Sequence, residues 1–251
     1  MRTSLLRITI LGSALLLVAA WGYLRPKEEA SAASGFAVVE LFTSEGCSSC
    51  PPADRILREL VQEGDESIYA LSFHVDYWDR LGWKDPYSRA EFSERQRAYG
   101  KKLPAQVYTP QMVFNGQQYC VGSRAQQVTS ALSKALEQAP LGELSLSLVN
   151  QQRGKLTIRF QAQGLGSSHL LRVALVERNW VVPVKRGENS GRVLEHDHVV
   201  RDWQTHSLDR QTQGSIALAI PSDAKPENLA VIAYVQDAES WAIVNAAMLG
   251  L

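Results

Sequence analysis

The chain carries no excess of charge of either sign: Lys and Arg number 26, Asp and Glu also number 26, and neither forms a long run. A nucleic acid or an anionic membrane surface therefore finds no electrostatic footing, and no nucleic-acid partner is expected. Cysteine is scarce, at 3 residues, too few for a disulfide-dense scaffold. There is no internal repeat and no low-complexity tract. The sequence has no glycine-rich phosphate loop, no Ser/His/Asp arrangement and no paired carboxylates in an evident cleft, so the usual motifs of nucleotide binding and triad hydrolysis are missing. None of its motifs calls for a soluble cofactor.

What is present in bulk is ordinary. With 45% apolar and 21% charged residues over 251 positions, the chain can bury one large core or two smaller ones. The first residues stand apart from the rest. Arg2 and Arg7 precede an apolar run at 8–24 that ends in Trp21 and Tyr23, and a charged stretch follows before Ala30-Ser31-Ala32. Two readings stay open, a signal peptide cleaved at that small-residue triplet or an uncleaved membrane anchor with aromatic residues at the interface. Both place the remainder outside the cytoplasmic membrane, periplasmic or secreted, with the basic end inside. In such an oxidising compartment three cysteines cannot all pair internally, so a close pair, Cys47 with Cys50, and a leftover Cys120 are expected.

Residues 1–34 thus read as signal or anchor plus linker. From 36 the order is a strand (36–42), the tetrad Cys47-Ser48-Ser49-Cys50, and a helix (51–62). Pro51 and Pro52 suit the first turn of a helix, Asp54 faces the positive end of its dipole, and Ile56, Leu57, Leu60 and Val61 form its apolar stripe. A second strand (68–75), an aromatic segment (76–83) and a polar helix (88–101) follow. Thr109-Pro110 then opens a hairpin of strands 111–114 and 117–121 about the turn Asn115-Gly116, and a last helical pattern covers 124–138. This makes 35–140 one α/β domain. From 141 the texture changes to about seven short strands separated by turn residues, with no helical pattern between them, which predicts an all-β, sandwich-like domain over 141–251.

Two thiols at this spacing, one at a helix start, make a redox dithiol, because a helix N-terminus stabilises the thiolate that attacks in disulfide exchange. Cys47, at the loop-to-helix junction, is expected to be the more exposed thiol and the nucleophile, with Cys50 resolving. Two neutral serines add no cation, so helix amides and the dipole are left to stabilise the Cys47 thiolate. The alternatives left open are a permanently closed bridge and a copper or zinc site completed by His74. By strand alternation His74 and Asp76 lie on one side. Tyr77, Trp78, Trp83 and Tyr87 either wall a substrate groove beside the dithiol or form a small core of their own. Cys120 reads as a buried thiol or a third redox partner. His196 and His198 alternate onto one strand face, either as packing or as part of a metal site lacking a clear third ligand.

The order of elements over 36–139, with Cys-x-x-Cys between strand and helix and Thr-Pro before a hairpin, resembles the thioredoxin-like superfamily. That resemblance implies a cis peptide bond before Pro110, a docking edge formed by Thr109 and Pro110, and a carboxyl in the strand feeding the tetrad. Glu40 would fill that last role, as a base toward Cys50 whose pKa burial raises. More closely, Glu40-Leu-Phe-Thr-Ser-Glu-Gly-Cys47-Ser-Ser-Cys50-Pro-Pro-Ala-Asp54 and Phe73-His74-Val75-Asp76-Tyr77-Trp78 resemble the secreted bacterial thioredoxin-like family known as domain of unknown function 1223. Gly187-Glu188-Asn189-Ser190-Gly191-Arg192 and His196-Asp197-His198-Val199-Val200-Arg201 extend that resemblance into the second half. The expected protein is a thiol–disulfide oxidoreductase with Cys47, Cys50 and Glu40 in the chemistry. Thr109, Pro110 and Trp78 would be at the substrate, and the partner a protein thiol or disulfide of the cell envelope. The alternatives are the metal carrier and a non-catalytic interaction protein stapled by its disulfide.

Overall fold

The computed structural model describes residues 35–251 apart from Arg153 and Arg210. The apolar run at 8–24, with both the signal and anchor readings of it, lies outside the described residues. Among the described residues no helix is long and apolar enough to cross a membrane.

Strand β1 (Ala37–Thr43) is buried along its whole length, as an apolar run covered on both faces must be. It pairs in parallel with β2 (Ile68–His74), and helix α1 (Pro51–Glu63) makes the crossover between them. Both prolines occupy the first helical positions, where no amide hydrogen is needed. Gly64 ends the helix in the left-handed region at φ 69°, its amide bonded to the Val61 carbonyl. On the other side of β1 lies β3 (Gln111–Phe114), antiparallel, joined in a hairpin to β4 (Gln118–Val121). Asn115 and Gly116 turn that hairpin with φ of 44° and 68°, which the Asn-Gly pair tolerates. The Asn115 amide also ties β1 by bonding Val38 N and Phe36 O. Helix α2 (Ala90–Lys102) follows a 3-10 helix at Asp76–Leu81, and helix α3 (Ala125–Ala135) follows the hairpin.

The second half supplies β5 (Glu143–Gln152), β6 (Lys155–Gln163) and β11 (Gln213–Ala219), a three-stranded antiparallel sheet. It also supplies β7 (His169–Glu177), β10 (Val199–Ser207), β12 (Leu229–Asp237) and β13 (Ile243–Gly250), which extend the first-half strands into one eight-stranded sheet. Its order is β13-β12-β7-β10-β2-β1-β3-β4. The junction is the parallel pairing of Val199 with Ser72, reinforced by the Ser72 amide donating to His198 O at 2.9 Å. The change of texture at 140 is therefore crossed by sheet hydrogen bonds.

Each face of the large sheet buries its own cluster. Val39 and Leu41 pack on Ala53 and Leu57 of α1 and Val128 of α3. Val38 and Phe42 face the other way, onto Phe92 and Tyr99 of α2, in a cluster that continues through Val176, Ile232 and Tyr234 of the second half. The three-stranded sheet covers Val173, Leu175, Val231 and Ala233 with Leu156, Ile158 and Leu218.

Two local readings of the sequence need correction. The sequence over 192–201 predicts one of the seven strands, but the structure has two there, β9 (Val193–His196) and β10, because His198 takes a φ of 44° and breaks the extended run. Strand β8 (Trp180–Pro183), which pairs with β9 in a separate hairpin, was not expected. Its run of four residues is short and ends in proline, which weakens any periodic signal.

Candidate functional site

The loop after β1 folds back so that Cys47 N bonds Ser44 O, and Cys50 begins α1 with helical backbone angles. Cys47 and Cys50 form a disulfide with Cα atoms 5.4 Å apart. The Cys47 sulfur is contacted by two hydroxyls, Thr109 Oγ1 at 3.3 Å and Ser49 Oγ at 3.4 Å. A disulfide sulfur has no hydrogen to give, so both hydroxyls donate. Trp78 Nε1 in turn donates to Thr109 Oγ1 at 2.8 Å, fixing that hydroxyl toward the sulfur. The Thr109–Pro110 peptide is cis. Thus Cys47, Cys50, Thr109, Pro110 and Trp78 are neighbours in space, although 62 positions separate Cys47 from Thr109.

Cys47 is not the exposed thiol that its position at the loop junction suggests: it and Cys50 are both 0% exposed, and only Ser48 and Ser49 reach solvent. The segment between β8 and β9 closes on the backbone of this loop. Asn189 is buried and its Nδ2 donates to Glu45 O at 2.8 Å and to Cys47 O at 2.9 Å. Glu188 accepts from Ser48 N and Ser48 Oγ, at 3.2 and 2.6 Å. Those two hydrogen bonds hold the exposed Glu188 carboxyl below its ordinary pKa.

Glu40 is buried, but away from the dithiol. Alternation puts it with Val38 and Phe42 on the α2 face, whereas Cys50 opens α1 on the opposite face. Its carboxylate takes Arg95 Nε at 2.8 Å and Nη2 at 3.0 Å, Tyr234 OH at 2.5 Å, and the Tyr99 hydroxyl. Glu40 is thus the anion of a buried ion pair, fully partnered, and no cysteine is among its contacts.

The sequence missed a buried cluster that touches the loop before the tetrad, where Glu45 N donates to Asp85 Oδ2 at 2.9 Å. His74 Nδ1 and Asp85 Oδ2 are 2.7 Å apart, both fully buried. Burial alone would lower the His74 pKa, but the charge and hydrogen bond of Asp85, with Asp54 and Glu45 nearby, outweigh it and hold the imidazole at about 9. Burial would raise Asp85; the His74 charge and hydrogen bond and the amides of Glu45 and Tyr87 lower it instead. Glu45 is raised, by burial and then by Asp85, although Trp83 Nε1 donates to its Oε2 at 2.6 Å. His196 stacks edge-on against His74 at 4.8 Å between centroids. His198 turns elsewhere, its Nδ1 at 2.9 Å from Ala70 O, so the two histidines do not share a face. Asp76, expected beside His74, instead lies in the 3-10 helix and takes the Ser93 hydroxyl. The aromatic residues divide: Tyr77 and Trp78 pack on the α2-side core, while Trp83 and Tyr87 join Val182, Val184, Leu194 and Val199. Cys120 is a free, buried thiol on the α1 face, pushed up to about 11 by burial. Among the described residues no group of three or more His, Cys, Asp or Glu side chains is arranged to hold a metal ion.

Fold and site together define a mixed α/β protein, rich in sheet, whose disulfide closes the turn into a helix under a segment supplied by the second half of the chain. The chain belongs to the DUF1223 family, described as proteins of unknown function, whose pattern matches residues 38–236. It is similar to the crystal structure of protein AGR_C_4864 from Agrobacterium tumefaciens, with 33% identity, a TM-score of 0.64, and coverage of 85% of this chain and 93% of that one. A domain of the outer membrane lipoprotein Omp28 from Porphyromonas gingivalis matches at 14% identity and a TM-score of 0.27, covering 45% of this chain and 90% of that one, too little to carry an argument. No curated protein matches the chain.

Proposed function

We propose that this protein is a thiol–disulfide oxidoreductase of the cell envelope, whose residues 35–140 are thioredoxin-like and whose residues 141–251 are a sandwich-like β domain. Cys47 exchanges disulfides with a protein partner outside the cytoplasmic membrane, and Cys50 resolves the mixed disulfide. The observation that carries this reading is the pair of hydroxyls aimed at the Cys47 sulfur, at 3.3 and 3.4 Å. Hydrogen bonds to the charged form favour it, so on reduction the same donors stabilise a thiolate at a helix start. Thr109 and Pro110, beside that sulfur, form the docking edge with Trp78, and Glu40 has no part in the chemistry. Since both sulfurs are covered, a partner engages them only when the Glu188–Asn189 segment moves off the tetrad.

The test is insulin-disulfide reduction. Cys47→Ser abolishes it, and Cys50→Ser accumulates mixed disulfides with partner proteins; a Cys47→Ser variant with undiminished rate refutes the proposal. One observation favours a second reading, a structural staple: neither cysteine is exposed. A bridge that stays closed throughout a glutathione titration would select it.

A further inference from the structure

The helix that Cys50 opens carries a carboxylate that the exchange reaction leaves unused. Asp54 sits one helical turn beyond Cys50; its amide donates to Cys50 O at 3.1 Å, and residues four apart share a helix face. That face is the buried one, carrying Cys50, Ala53, Asp54 and Leu57. Asp54 is 4% exposed, and neither carboxylate oxygen has a hydrogen-bond partner among the described residues. His196, 1% exposed, places Nδ1 at 3.6 Å from Asp54 Oδ1, and neither of its ring nitrogens is hydrogen-bonded. Buried polar groups are nearly always satisfied in folded proteins, so two neighbouring ones left bare beside a dithiol point to a task that is not packing.

The surroundings suit proton transfer. His74, at the end of β2, is held as a cation by Asp85 and feels the charges of Asp54 and Glu45. From its own helix, Arg55 and Arg58 line with Asp54 a cavity of about 290 Å³ that also touches Pro51 and Glu195.

We propose that Asp54, backed by His196, is the proton acceptor for the resolving thiol of Cys50, the part the sequence had suggested for Glu40. The assignment rests on the exchange reading above. In the step, Asp54 takes the proton of the Cys50 thiol and the Cys50 thiolate attacks the Cys47 sulfur of the mixed disulfide. The bond from Cys47 to the partner sulfur breaks, the Cys47–Cys50 bond forms, and the partner leaves as a thiolate that takes up a proton. The dithiol is oxidised and the partner's disulfide is reduced.

The experiment mixes the reduced full chain with oxidised glutathione, quenches with acid and follows the Cys47–glutathione adduct by mass. Asp54→Asn is expected to form the adduct at the wild-type rate but to resolve it about 100-fold more slowly at pH 7, the usual worth of a general base. The deficit should shrink as pH rises and Cys50 ionises unaided, whereas a merely structural role leaves a deficit independent of pH. His196→Gln should show a smaller deficit with the same pH dependence, and it decides the matter if Asp54→Asn does not fold. Resolution at the wild-type rate, a pH-independent deficit, or uptake of one equivalent of zinc(II) by the oxidised protein that His196→Gln abolishes would each overturn the assignment alone. A wild type that forms no adduct at Cys47 overturns the exchange reading together with it.

Discussion

Asn189→Ala should make the buried disulfide easier to reduce. In the closed arrangement Asn189 Nδ2 spans the Glu45 and Cys47 carbonyls, at 2.8 and 2.9 Å. Each such hydrogen bond contributes a net ~0.5–1.5 kcal/mol, so losing both weakens closure by about 1–3 kcal/mol. That corresponds to roughly a 5- to 150-fold larger opening constant. If dithiothreitol reaches the sulfurs only in the open form, and opening is fast compared with attack, the reduction rate rises by the same factor. The assay is timed alkylation of released thiols, read by mass, on a variant whose thermal unfolding shows it folded. Gly187→Ala loosens the same segment by another route, since at φ 75° its Cβ would stand 3.0 Å from Trp83 Cβ. Unchanged reduction rates in both folded variants would refute the idea that this segment controls access.

Three further outcomes follow from the same geometry. His74 gains protons on folding, so its contribution is complete below its ordinary value of 6.5 and is lost as pH rises to about 9. That loss is worth about 3 kcal/mol. Asp85, lowered, loses its contribution as acid protonates it below its ordinary 3.8. His198 acts in the opposite sense to His74: burial holds it down at about 4, so stability falls as pH drops from 6.5 toward that value. Urea unfolding should therefore show stability falling away on both sides of about 6.5, and His74→Gln should flatten the alkaline limb. Glu40→Ala strands the buried Arg95 guanidinium and should cost about 3–5 kcal/mol in urea unfolding, while the folded fraction keeps its insulin-reduction rate. Cys120→Ala should leave exchange unchanged, and in the reduced wild type Cys120 should be the slowest thiol to alkylate, because burial pushes it up to about 11.

Much of this protein could be read along the chain where a signal is local. Pro51-Pro52 marked the start of α1 and Asn115-Gly116 the hairpin, whereas Thr109-Pro110 as the neighbour of Cys47 came only from the family resemblance. What escaped depended on distant pairing. A buried carboxyl at Glu40 was implied only by the family resemblance, and its side of the sheet follows from Arg95, 55 positions away. Asn189-Ser190-Gly191 has the composition of a turn, and nothing local says that the Asn189 amide bonds a Cys47 carbonyl 142 positions earlier. Asp85, Glu45 and Asp54 look like ordinary surface carboxylates until β2 and β9 bring His74 and His196 against them. The burial of Cys47 was unreadable for the same reason, since Thr109 and Asn189, which bond it, both lie far along the chain.

The account stands or falls on the state of the Cys47 sulfur once the bridge is reduced. Its ionisation can be followed by thiolate absorbance and by the pH dependence of alkylation in the Cys50→Ser, Cys120→Ala background. Titration at or below about 7.5, within the range of activated thiols, is the predicted result. Titration at the free-cysteine value of about 8.5 or above would contradict it.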